Sequence, residues 1–116
     1  MRNATILGIL AASLLTVSCD SYENSASVSD VTKEEVIVLE TTKKSEDISS
    51  INIKGRGQID GEATIVLMLN GEPYKTETLK DEVQFSWDGD WYSNTAEIRY
   101  TPVQVNSGDL TLEYSF

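Results

Sequence analysis

The sequence predicts an all-β fold: a small antiparallel β-sandwich of about seven strands. Three observations carry this. Apolar and polar residues alternate with a period of two over most of residues 49–116, the pattern of strands with one buried face. Asn70-Gly71 sits between two such runs, and both residues tolerate the positive φ that a two-residue hairpin turn requires. From residue 35 onward no stretch carries a helical period.

In chain order, Val36-Ile37-Val38-Leu39 is a short apolar run rich in β-branched side chains. It predicts a strand buried on both faces, a short helix being the alternative at that length. Ser49, Ile51, Ile53, Gly55, Gly57 and Ile59 then share one face of a half-buried strand, with Gly55 and Gly57 marking a bulge or a close backbone approach. Asp60-Gly61 reads as a turn. Ala63, Ile65, Leu67 and Leu69 form the next inward face, opposite Thr64, Val66 and Met68. A tight turn at Asn70-Gly71 sets Leu67 across from Tyr74 and Ile65 across from Thr76, and Pro73 places the returning strand at an edge. Val83/Phe85/Trp87, Ala96/Ile98/Tyr100 and Leu110/Leu112/Tyr114/Phe116 complete the set. Pro102 is expected to stop the second of these, and Asn106-Ser107-Gly108-Asp109 to turn the chain into the last. An immunoglobulin-like sandwich or a small barrel fits this spacing, although the cysteine pair usual in immunoglobulin domains is missing.

The amino-terminal segment has a different character. Met1-Arg2-Asn3 supplies a basic start, and Ala4–Val17 is an uncharged run of 14 residues, too short to span a bilayer but suited to an export signal. Leu14-Leu15-Thr16-Val17-Ser18-Cys19 follows and resembles the lipobox of bacterial lipoproteins, with Thr16 where leucine is commonest. The resemblance covers residues 1–19. It implies a diacylglyceryl group on the Cys19 thiol, cleavage before Cys19, acylation (palmitate or a similar chain) of the new amino terminus, and residence on a bacterial membrane outside the cytoplasm. Ordinary signal cleavage after Ser18 is the competing reading, and it would leave Cys19 as a lone thiol in an oxidising compartment. Asp20 resembles an inner-membrane retention signal of enterobacterial lipoproteins, but sorting rules differ among phyla and the leaflet stays open. The expected organisation is a signal peptide at 1–18, a lipidated cysteine and flexible linker at 19–33, and a β-sandwich domain at 34–116. The polar stretch 20–32, with four serines, reads as a tether lifting the domain ~20 Å from the bilayer.

Removal of residues 1–18 leaves eight basic and 19 acidic side chains, a net charge of −11. Such acidity argues against nucleic acid, whose phosphates demand clustered Lys and Arg, and against electrostatic adhesion to anionic lipid. The chain has no histidine, and Cys19 is its single cysteine. Histidine-based nucleophile activation, thiolate zinc sites and disulfides are therefore excluded from the mature domain. No cofactor is expected.

The segment 87–94 concentrates the remaining candidates. Asp88, Asp90 and Asn94 offer oxygen ligands or hydrogen-bond partners, and Trp91 and Tyr92 offer flat faces. Calcium or a glycan could use that set, although its spacing departs from the EF-hand. The bland alternative is a turn whose aromatics pack over the end of the sandwich, with Trp87 facing the core. Two carboxylates also raise glycoside hydrolysis, but a domain this small offers little wall for a cleft, and no enzyme activity is expected. The terminal Leu-x-Leu-x-Tyr-x-Phe resembles the last strand of outer-membrane barrels, but the charged alternate faces elsewhere and the short chain favour a soluble closing strand. The sequence thus leads to a lipid-anchored, extracytoplasmic binding or structural accessory module. Its partners are the membrane and a protein of the cell envelope, and the alternative is a small glycan- or calcium-binding domain built on residues 88–94.

Overall fold

The computed structural model describes residues 22–116. The expectations for the export signal and Cys19 lie outside the described residues. Among the described residues, five strands run in chain order: β1 (Asn24–Ser27), β2 (Glu35–Glu40), β3 (Ser50–Leu69), β4 (Glu72–Asp90) and β5 (Thr95–Ser115). A 3₁₀ turn at Ser45–Asp47 precedes β3. All pairings are antiparallel, in one sheet of order β1-β5-β3-β4, with β2 also on β5. β2 pairs with the first part of β5, from Thr95 to Tyr100, and β1 with its last part, from Thr111 to Tyr114.

The sheet is folded across its middle. Tyr114 Oη donates to Glu40 O at 3.4 Å, yet Glu40 pairs with Thr95 at the other end of β5. Nineteen residues of straight strand would hold those ends roughly 60 Å apart. β4 doubles back in the same way, since the rings of Tyr74 and Trp91, beside its two ends, lie 6.2 Å apart. Each long strand thus contributes to both layers of a sandwich-like body, and the inward side chains of both layers share one core.

Five strands form where about seven were expected, and the class is all-β as anticipated. The difference is that three pairs of expected strands run together as β3, β4 and β5, while β1 was not expected; Asp60-Gly61, Pro102 and Asn106–Asp109 do not end strands. They sit at register irregularities between β3 and its neighbours, so glycine and asparagine here bend a strand that continues. Gly61 has φ 139°, and a Cβ there would lie 1.8 Å from Gln104 O; Gly108 has φ 137° and faces Gln58 O at 2.2 Å. Opposite them, Asp81 takes φ 58°. Pro102 lies beyond the end of β2 and at one of the irregularities, where a missing donor is tolerated.

Ile51, Ile53, Ile59, Ala63, Ile65 and Leu67 are buried as the alternation predicts. Phe85 lies over Gly55, where a Cβ would meet its ring at 2.1 Å. The ring thereby fills the space left by a residue without a side chain. Four expectations are corrected. Val36 and Val38 are 59% and 54% exposed while Ile37 and Leu39 are buried, because nothing covers the outer face of β2 in a two-layer body. Asn70 and Gly71 do make the positive-φ hairpin, but Leu67 faces Lys75 and Ile65 faces Glu77. The register slips by one residue beside Pro73, which cannot donate to the ladder. Near that hairpin Met68 is buried and Leu69 exposed, reversing their expected sides. Finally, the linker does not extend to residue 33. Residues 24–27 pair with β5, Val28 N–H donates to Leu110 O at 3.0 Å, and Val28 and Val31 are buried. The folded domain therefore starts about ten residues before position 34.

Candidate functional site

The residues expected to form a ligand loop are divided by the end of β4. The strand continues through Asp90, with Asp88 opposite Asn52 and Asp90 opposite Ser50. Alternation then turns Trp87 inward and both aspartates outward to solvent. Two positions along a strand separate their α-carbons by ~7 Å. Among the described residues, no group of three His, Cys, Asp or Glu side chains could hold a metal ion. The arrangement is a strand end with two solvated carboxylates.

Trp91 belongs to the core. Its N–H continues the β3–β4 ladder by donating to Ser49 O at 3.2 Å, its Nε1–H donates to Thr95 O at 3.0 Å, and it is 4% exposed. The tryptophan closes one end of the sandwich with Tyr74, as the packing alternative anticipates, and offers no flat face to a ligand. Tyr92 points the other way, 69% exposed. Asn94 is held through its backbone, Asn94 O accepting from Thr41 N–H at 3.1 Å. Of the five candidates, Trp91 is buried in the core, and Asp88, Asp90, Tyr92 and Asn94 are exposed.

The rim where these strand ends meet is closed by side chains. Lys43 Nζ reaches Glu23 Oε2 at 3.0 Å and Phe116 O at 2.5 Å, and Glu23 N–H donates to Ser115 Oγ at 2.9 Å. Phe116 packs edge-on to Tyr114, their ring centres 5.9 Å apart. Tyr74 and Leu69 are partly exposed on the same rim, and Lys75 Nζ lies 5.0 Å from the centre of the Tyr74 ring. Sequence reasoning faced Leu69 inward, set Tyr74 across from Leu67 and did not single out Lys43; it could not bring the three to one rim, because that placement depends on the sheet folding back.

The opposite end, over the bend, is acidic. Asp60, Asp81 and Asp109 line an open recess of about 510 Å³ there. Between the layers, the turn at 30–33 is secured by Asp30, whose Oδ1 accepts from Thr32 N–H at 3.0 Å and Thr32 Oγ1 at 2.6 Å. The Thr32 bonds, first the hydroxyl and then the amide, hold the Asp30 carboxyl below its ordinary pKa. Tyr100 Oη donates to Val31 O at 2.7 Å. Burial, and then the nearby Asp30 charge, push the Tyr100 phenol above its ordinary value, so it stays a donor across the physiological range. The apolar pair Val28 and Val31 within a polar stretch was the available sign that this segment docks.

The chain matches no protein-family model and no curated protein.

Proposed function

We propose that this protein is a lipid-anchored, extracytoplasmic accessory module, tethered to a bacterial membrane through Cys19 and non-catalytic. The reading rests first on residues 1–19, with their basic start, short apolar run and Ser18-Cys19 junction. The observation that carries it furthest is the position of the first folded residues. Glu23 is tied to Ser115 and Lys43, so a well-packed domain begins four residues after the cysteine, on its own surface. Such a domain can be carried by an anchor without unfolding any of its strands. At least two acyl chains would hold it stably, each buried methylene contributing about 0.8 kcal/mol.

Replacement tests this directly. Cys19→Ala is expected to move the protein from the membrane pellet to the soluble fraction, and to remove a diacylglyceryl mass from the amino-terminal peptide. Retention in the pellet without that mass would sink the anchoring reading.

A further inference from the structure

Four residue steps separate Cys19 from Glu23. Even fully extended, they span at most ~14 Å. Glu23 lies on the open rim of the folded sheet, held by Ser115 Oγ and Lys43. A lipid on Cys19 therefore keeps that rim close to the headgroups. The bend lies about ten strand residues away along β3, a distance of ~33 Å.

The side chains on the rim suit that position. Tyr92, Tyr74 and Leu69 are three of the six exposed large hydrophobic residues among those described, and all three lie where the strand ends meet. Tyrosine pairs an apolar ring with a polar tip, the combination that settles at the level of lipid headgroups. Lys43 and Lys44 are exposed on that rim, along with Glu46 and Asp47 of the 3₁₀ turn and the strand-end carboxylates Asp88 and Asp90, so the rim carries both signs of charge. The bend presents Asp60, Asp81, Glu82 and Asp109, all exposed, with Lys80 beside Asp81, a net-acidic end that an anionic leaflet would repel.

We propose that the open rim is the membrane-facing surface of the domain. Tyr92, Tyr74 and Leu69 rest in the headgroup layer of a phospholipid bilayer, and the acidic bend is held away from it. This orientation rests on the Cys19 anchor proposed above.

Photocrosslinking on the full-length lipidated protein tests it. Benzoylphenylalanine is placed at position 92 or, near the bend, at position 103, where Val103 is 66% exposed. Each protein, its amino-terminal lipid verified by mass, is put into phosphatidylcholine vesicles and irradiated. Lipid adducts at 92 exceeding those at 103 by about tenfold are the expected result for a headgroup-seated rim. Adducts equal at the two positions, greater at 103 or missing from both, on protein that carries the lipid mass, overturn the orientation alone. Absence of the lipid mass on Cys19 overturns the anchor, and the orientation with it. Tyr92→Ser in protein labelled at Leu69 gives an independent readout: adducts at 69 are expected to fall severalfold while the far-ultraviolet spectrum stays unchanged. Undiminished adducts at 69 count against seating by Tyr92.

Discussion

The two ends of the folded sheet are closed by different physics. At the bend, closure belongs to the backbone: Gly61 and Gly108 take positive φ with carbonyls where a Cβ would go, and Asp81 adopts a left-handed conformation. At the open rim, closure belongs to side chains: Trp91 against Tyr74, Tyr114 against Phe116, and Lys43 bridging two elements. A backbone constraint at a close approach has no gradual failure, because an added carbon has nowhere to go. A side-chain closure is a sum of contacts, each removable at its own cost.

The largest expected effect follows from the bend. Gly61→Ala places a carbon 1.8 Å from Gln104 O on a φ of 139°, and a loss of ~4 kcal/mol or outright failure to fold is expected. A urea midpoint near that of the parent protein would show that the bend relaxes easily and would erase the contrast. Next comes the rim, where Trp91→Ala removes a buried indole and the bond to Thr95 O. It should cost ~3 kcal/mol while leaving a folded protein whose Tyr74 is more exposed than before, as tyrosine fluorescence or solvent perturbation would report.

Smaller effects sharpen the comparison at the segment that joins the layers. Tyr100→Phe deletes the bond to Val31 O and is expected to lower stability by ~1 kcal/mol, leaving a buried carbonyl short of a donor. Lys43→Ala should cost ~0.5 kcal/mol at low salt, since its pairing with Glu23 is partly exposed. A high-salt titration should shrink that difference, and salt-independent loss would mean that the bond to Phe116 O dominates. The smallest effect concerns acid. Asp30 has a lowered folded pKa, so its bonds contribute fully above the unfolded value and are lost as pH falls through the folded one. Asp30→Asn is expected to flatten that part of the acid-unfolding curve, and an unchanged curve would remove Asp30 from the account.

Much of the fold was legible because one-face burial writes a period of two into the sequence. The inward sets of β3, β4 and β5 are nearly those the alternation picks out. The continuity of the strands was not legible. Glycine, asparagine and proline mark both the turn that ends a strand and the bulge that bends it. Only the register against β4 and β5 distinguishes the two at Asp60-Gly61. β1 was hidden for another reason: Asn24–Ser27 is polar, and its pairing with β5 spans more than 80 residues of sequence. In the 88–94 segment, alternation correctly faced Trp87 inward. It could not place Trp91, which follows the end of β4 and packs against Tyr74 near that strand's start.

The bends in β3, β4 and β5 also govern how the molecule comes apart. Two stacked sheets joined by loops can separate along their interface, each keeping its hydrogen bonds. Here the same three strands form both layers, so parting the layers means pulling on backbone that passes without a break from one to the other. Unfolding should then be all-or-none, with no half-molecule able to persist. Assembly carries the matching penalty: pairings made late in the chain must close large loops before any of them is rewarded, so folding should be slow for a body of this size.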